Sequence, residues 1–175
     1  AWASGRTGAT GRRTQKKFFR MIQILPKRIV LDTNVCLDLF VFRDPRWQPL
    51  LEAMRSGDVE TVTRSDCRTE WTLVIAYTRL GLDAAAQAAA TAEFDRLIAV
   101  LDLPVPDGFP GLPVCRDPDD QKFLECSAAS GAACLVSKDK ALLKLAGKMR
   151  RRGGFDILSP EQWVARRRAG LLTVQ

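Results

Sequence analysis

Apolar and polar positions alternate with two different periods along this chain, and the alternation predicts a series of strands and helices. Short apolar or β-branched runs bounded by turn residues predict strands, whereas apolar residues that recur every three or four positions predict helices. The predicted strands are residues 28–31, 59–63, 133–137 and 155–158. The predicted helices are residues 33–41, 47–55, 65–80, 83–101, 117–130, 139–149 and 160–169. Such alternation is typical of βαβ units around a mostly parallel sheet, an α/β fold.

Two segments lack this periodicity. Residues 1–20 are rich in Gly, Thr, Arg and Lys, which predicts a disordered basic arm over residues 1–27 before a single folded domain at 28–175. Met21 is a plausible start of the native protein. The Pro-rich stretch 102–116 predicts a long loop, and loops of this length in compact domains are often functional.

The net charge of +7 hides a segregation of charge along the chain. Residues 1–28 carry eight basic and no acidic residues, whereas residues 29–137 carry nine basic and seventeen acidic ones. Residues 138–175 carry ten basic and three acidic residues. An acidic middle between basic segments suits a metal-dependent enzyme that acts on a phosphate polymer. The alternative is a basic tail together with a solvated basic helix.

Other compositional features narrow the function classes. The chain has no histidine, which removes the commonest general base and the commonest zinc ligand. No apolar run approaches the roughly 20 residues that span a bilayer, so no membrane association is expected. The five cysteines are widely spaced and include no Cys-x-x-Cys pair, which favours reduced thiols and a cytoplasmic location.

Four acidic residues occupy positions where an α/β sheet brings side chains together. Asp32 and Asp139 come at the ends of predicted strands, and Glu70 and Asp120 lie on predicted helices. Ligands of open α/β sheets bind outside the carboxyl ends of the strands. Carboxylates that converge there repel one another unless a cation joins them, and such oxygen ligands suit Mg²⁺ or Mn²⁺.

Each of these assignments has a structural alternative. Asp32 and Asp139 could simply cap the helices that follow them. For Asp32 we favour metal binding, because Thr33 and Asn34 can supply the cap. Glu70 could face solvent, as glutamates on helices usually do.

Three acids compete for the third position: Asp117, Asp119 and Asp120. Acids at the start of a helix often only complement its dipole, so at least one of them has that role. We choose Asp120 because Phe123 and Leu124 define the buried face on its side, and Asp119 is the runner-up.

Four stretches in a fixed order resemble the PIN-domain nucleases. They are residues 29–35 (IVLDTNV), 116–125 (RDPDDQKFLE), 135–143 (LVSKDKALL) and 157–161 (ILSPE). The spacing around Glu70 also resembles that of the family's second acid, although Trp71 replaces the usual aliphatic residue. The stretch 116–125 resembles one subgroup of this family, whose members are described as toxin components of toxin–antitoxin pairs.

The resemblance implies a three-layer α/β/α sandwich and cleavage of RNA that depends on Mg²⁺ or Mn²⁺. The implied catalytic residues are Asp32, Glu70, Asp120 and Asp139, and the implied metal ligands are Asp32, Asp120 and Asp139. Residues expected to orient these carboxylates or a metal-bound water are Asn34, Ser137 and Asp119. The implied partners are RNA, a cognate antitoxin protein and a second copy of the chain in a homodimer.

Basic residues after the last predicted acid are candidates for contacts with RNA phosphates. They are Lys138, Lys140, Lys144, Arg150 and Arg151. The alternative for each of them is an ordinary solvated surface.

Two other functions compete with the nuclease interpretation. An aspartate-based phosphohydrolase also places Asp after its first strand, but it generally needs a second Asp two positions later, where this chain has Asn34. A non-catalytic module that binds RNA or a partner protein is the stronger rival, because residue types alone do not report activity.

Overall fold

A central sheet of five parallel strands organises the protein. The computed structural model describes residues 27–103 and 111–171. The strands are β1 (Lys27–Leu31), β2 (Val59–Arg64), β3 (Ile98–Leu101), β4 (Cys134–Val136) and β5 (Asp156–Leu158). They pair in the order β3-β2-β1-β4-β5, and all four ladders are parallel. The strand order therefore reverses between β1 and β4, which is where doubly wound sheets open a crevice.

Helices cover both faces of this sheet. The helices are α1 (Thr33–Phe40), α2 (Gln48–Ser56), α3 (Ser65–Ile75), α4 (Ala84–Leu97), α5 (Gln121–Ser130), α6 (Lys140–Leu143), α7 (Ala146–Arg151) and α8 (Pro160–Arg168). Short 3₁₀ turns lie at Pro45–Trp47, Thr78–Leu80 and Pro118–Asp120.

The alternation of side chains along the strands divides the core in two. Ile29 and Leu31 of β1 pack with apolar side chains of α1, α2, α4 and α8. Val30, between them, packs on the opposite face with side chains of α5, α6 and α7. Successive side chains of a strand point to opposite faces, so β1 contributes to both clusters. The predicted three-layer α/β/α sandwich is confirmed, and the sheet is wholly parallel.

The predicted helix 83–101 is wrong at its end. The helix stops at Leu97, and Ile98–Leu101 forms the edge strand β3, which pairs with β2 from Thr61 to Arg64. The Ala-rich stretch before Leu97 favours helix, but Ile98 and Val100 are β-branched and suit a strand. Pairing with β2, remote in sequence, therefore decides the conformation of these four residues.

Three other predicted helices are interrupted. Predicted helix 65–80 ends at Ile75 and is followed by a 3₁₀ turn that stops at Gly81, whose φ of 62° is left-handed. Predicted helix 117–130 begins as a 3₁₀ turn, and predicted helix 139–149 divides into α6 and α7. Such boundaries depend on local capping and tertiary contacts that periodicity does not report.

Some predictions fall outside the described residues. The predicted arm, apart from Lys27, and residues 104–110 of the predicted loop are among them. Within the described ranges, no helix has the length and apolar character that crossing a membrane requires. All five cysteines are buried and unbridged.

The core should respond to the loss of a buried side chain in the middle of the sheet. Leu135 of β4 is fully buried between β1 and β5. We expect Leu135→Ala to lower the free energy of unfolding in urea by about 2–5 kcal/mol, because the cavity is only partly refilled. The matched control Val114→Ala removes a side chain that is 83% exposed; it should change the free energy of unfolding by less than ~0.5 kcal/mol. Equal effects of the two substitutions would contradict this packing.

Candidate active site

The carboxyl ends of β1 and β4 place two short polar segments side by side. The backbone N–H of Asp32 donates to the carbonyl of Val136 (3.1 Å), and that of Ser137 donates to Leu158 (2.9 Å). The ladders thus continue one residue past the assigned strands. Asp32 and Ser137 are consequently fixed by the sheet itself, at the point where the strand order reverses.

The carboxylate of Asp32 is buried and fully engaged. Its Oδ1 accepts a hydrogen bond from the N–H of Val35 (2.8 Å) and caps α1. Its Oδ2 accepts from the hydroxyl of Ser137 and from the N–H of Lys138 (3.2 Å). Burial raises the pKa of Asp32 above its ordinary value, although these hydrogen bonds act in the opposite direction. The capping role anticipated as an alternative is therefore real, and the same carboxylate faces the reversal point.

Ser137 links Asp32 to the next acid in this segment. Its hydroxyl is fully buried, donates to Asp32 and accepts the N–H of Asp139 (2.9 Å). Asp139 caps α6 through Oδ1, which accepts from the N–H groups of Ala141 (2.6 Å) and Leu142 (3.1 Å). Its second oxygen accepts no hydrogen bond from a described residue, so it is free to meet a ligand.

Glu70 points toward the end of β1 rather than into solvent. Its Oε1 accepts a hydrogen bond from the hydroxyl of Thr33 (2.5 Å), and its Oε2 forms an ion pair with the ammonium of Lys122. Only 26% of its side chain is exposed. Sequence reasoning did not assign these two partners. Their closeness to the predicted acids in sequence could have indicated them, because Thr33 directly follows Asp32 and Lys122 lies two residues after Asp120.

The pKa of Asp120 is raised by its burial and by the other carboxylates of the centre. Burial raises its pKa to about 7, and the charges of Asp139, Asp117, Asp32 and Glu70 add to this effect in that order. A nearby like charge disfavours ionisation, so Asp120 lies within electrostatic reach of these acids. The structure thus brings all four predicted acids to one end of the sheet.

The competing acids of this segment have other positions. Asp117 accepts the backbone N–H of Asp119 (3.0 Å) and caps the 3₁₀ turn that ends at Asp120. Asp119 is exposed. Asn34 is also exposed, and its side chain has no hydrogen bond to a described residue. The orienting roles predicted for Asn34 and Asp119 stay predictions.

The candidate phosphate-binding residues differ in their partners. Lys138 pairs with Asp38 (2.6 Å), a buried acid that the sequence did not single out and that also accepts from the indole N–H of Trp47 (3.1 Å). Arg150 lies 3.8 Å from a carboxylate oxygen of Asp156. The remaining three are exposed and have no ion pair within the described ranges. They are Lys140, Lys144 and Arg151.

The donor chemistry of the centre fits a hard divalent cation. Carboxylate oxygens are the ligands that Mg²⁺ and Mn²⁺ prefer. Burial raises the pKa of Asp120 and the neighbouring carboxylates raise it further, and a bound cation would relieve this second effect. In the described part of the chain, no three acidic or cysteine side chains are already arranged to hold an ion. Several carboxylate oxygens are turned instead toward donors of the protein, such as Ser137 and Lys122.

Crowding of the carboxylates should lower stability at neutral pH. The pKa of Asp120 is about 7 in the folded protein and 3.8 as its ordinary value. Folding therefore becomes less favourable as the pH rises between these values. We expect Asp120→Asn to raise the free energy of unfolding at pH 8 without divalent ions by about 1–2 kcal/mol, a value reduced for solvent screening. The gain should disappear near pH 4.

The measurement is urea unfolding in EDTA across this pH range. Asp119→Asn is the matched control, because Asp119 is exposed and lies next to Asp120. Its effect should stay within ~0.5 kcal/mol at every pH. A destabilised Asp120→Asn variant at pH 8 would show that burial and the neighbouring carboxylates do not raise the pKa of Asp120 in this way.

Comparison with known proteins agrees with this geometry. A family model described as the PIN domain matches residues 28–141, which is more than half of the chain. PIN domains are in general metal-dependent nucleases, and they typically use Mg²⁺ or Mn²⁺. No curated protein and no solved structure is significantly similar to the chain. The match covers β1 through the start of α6, including all four acids, and the chain belongs to the PIN-domain family.

Proposed function

We propose that this PIN domain is a metal-dependent endoribonuclease that hydrolyses RNA phosphodiester bonds, and that it acts as the toxin of a toxin–antitoxin pair. The observation that carries the proposal is the convergence of Asp32, Asp120 and Asp139 at the reversal point of a parallel sheet. Burial raises the pKa of Asp120, and the charges of Asp139 and Asp32 raise it further, as expected of a carboxylate cluster that a cation would neutralise.

In this proposal, Asp32, Asp120 and Asp139 hold Mg²⁺ or Mn²⁺. The ion, when bound, lowers the pKa of coordinated water and stabilises charge on the phosphodiester. Ser137 and the N–H of Lys138 fix the direction of the Asp32 carboxylate, so its position does not depend on the ligand. Glu70 contributes a further carboxylate, oriented by Thr33.

The basic residues after Asp139 supply the contacts to RNA. Lys140 and Lys144 are exposed and unpaired among the described residues, and they begin one residue after the carboxylate that caps α6. Cationic side chains beside an acidic centre can bind the phosphates on either side of the bond that is cut.

As a toxin, the protein would bind an antitoxin, form a homodimer and act in the cytoplasm. A cognate antitoxin would neutralise the acidic centre, for example by placing an arginine among the carboxylates. A second copy of the chain would complete a homodimer. The buried, reduced cysteines suit the cytoplasm, where such a pair would act on cellular RNA.

Replacement of the central acid tests the activity. Asp32→Asn removes the charge but keeps an oxygen that can accept the N–H of Val35, so the cap on α1 should survive. We expect cleavage of a fluorescent RNA in Mn²⁺ to fall by at least about 100-fold, because the central ligand is lost. Wild-type cleavage should cease in EDTA.

The control for this experiment is Asp95→Asn, which removes an acid on α4 whose ion pair among the described residues is with Arg68 at the surface. It should leave cleavage unchanged. Mn²⁺-dependent cleavage retained by folded Asp32→Asn would reject the assignment. A wild-type protein that binds RNA without cutting it is a non-catalytic module, and one that hydrolyses p-nitrophenyl phosphate is a phosphohydrolase.

Salt dependence tests the RNA surface. We expect Lys144→Ala to reduce the slope of log affinity against log salt for single-stranded RNA by about 0.7, the value for one lost phosphate contact. Lys27→Ala is the matched control, because Lys27 is exposed at the opposite end of β1 from Asp32. The measurement is fluorescence anisotropy with catalysis blocked by EDTA. An unchanged slope in Lys144→Ala would place the RNA elsewhere.

A further inference from the structure

Glu70 differs from the other three acids in having a cation of the protein on its carboxylate. Lys122 forms an ion pair with Oε2 of Glu70, and Thr33 occupies Oε1. Among the described residues, Asp32, Asp120 and Asp139 have no ion pair. Both oxygens of Glu70 are therefore engaged, one of them by a cation. In the described part of the chain, the oxygens of Asp32 and the capping oxygen of Asp139 accept hydrogen bonds from neutral donors.

The ammonium of Lys122 is held in place rather than solvated. Its side chain is 21% exposed, and Nζ lies 5.6 Å from the ring centroid of buried Phe123. The residue lies at the start of α5, two positions after Asp120, and reaches across to α3. The ion pair with Glu70 and the cation–π contact with Phe123 together restrict the position of the ammonium.

No other described cation takes this position. Lys138 and Lys140 flank Asp139 in sequence. The ammonium of Lys138 forms its ion pair with Asp38, although its charge also acts to lower the pKa of Asp32. Lys140 is exposed and has no ion pair in the described part of the chain. Lys122 is therefore the described cation that is paired with one of the four acids.

We propose that Lys122 is a positioning residue that acts as a built-in cation, keeping Glu70 out of the metal-ligand set so that the centre holds a single divalent ion. The inference rests on the proposed nuclease function. A second ion would have to displace the ammonium from Glu70, which would leave a half-buried charge without its partner. The three remaining acids supply the ligands for one ion.

Metal stoichiometry tests this inference without reference to activity. Mn²⁺ binding to the full chain can be measured by equilibrium dialysis, with free Mn²⁺ counted by electron paramagnetic resonance. We expect one ion per wild-type chain and two per chain for Lys122→Met, which removes the charge but keeps the length of the side chain. Lys122→Arg retains a cation and should bind one ion.

Two further variants separate the effect of Lys122 from a general change in charge. Lys140→Met removes a positive charge beside Asp139 without freeing Glu70, and it should still bind one ion. Lys122→Met combined with Glu70→Gln removes the freed carboxylate, so the stoichiometry should return to one. Far-ultraviolet circular dichroism establishes that each variant is folded.

The outcomes distinguish this inference from the proposed function. Two ions on the wild-type chain, or one ion on folded Lys122→Met, would overturn the role of Lys122 and leave the nuclease proposal intact. Wild-type binding that is absent, or that is unaffected by Asp32→Asn, would reject the metal centre and the inference together.

Discussion

The hydrogen bonds to the buried carboxylate of Asp32 are the interaction on which the rest of the site depends. They join the end of β1 to the end of β4 through Ser137 and Lys138, and they begin α1 through Val35. Two segments more than one hundred positions apart in sequence are thereby fixed at the reversal point of the sheet. A buried carboxylate tolerates the loss of water only when donors surround it, so the fold and the acid require each other.

Holding several acids at one end of the sheet lowers the free energy of unfolding. Burial of Asp120 beside other acids raises the free energy of the folded state at neutral pH. The raised pKa of Asp120 reflects burial first and the neighbouring charges second. The chain offsets part of this rise in free energy with neutral donors at Asp32 and Asp139 and with an ammonium at Glu70. Such unfavourable arrangements persist at functional sites because the surrounding packing over-determines them. The fully buried β4, with Leu135 at its centre, provides that packing.

Periodicity in the sequence predicts an α/β fold and puts Asp32 and Asp139 at the ends of strands. The three-layer sandwich and the joint role of these acids with Glu70 and Asp120 are what the resemblance to the PIN-domain nucleases implies. The sequence does not predict β3, whose conformation depends on pairing with β2 across more than thirty positions. It also does not predict Thr33 and Lys122 as partners of Glu70. These contacts connect different helices, and their residue types are common enough that only the tertiary arrangement distinguishes them from a solvated surface.

Internal ion pairs reduce the positive charge that the carboxyl-terminal segment presents to solvent. Part of the basic carboxyl-terminal segment is used internally, since Arg166 pairs with Asp156 and Arg167 pairs with Asp58. The net charge of a segment therefore overstates the charge that a polyanion can reach. The cations left exposed include Lys140 and Lys144, which follow the carboxylate of Asp139 directly. A phosphate bound there would lie beside the acidic centre, and this adjacency, more than the total charge, favours a nucleic-acid backbone as the substrate.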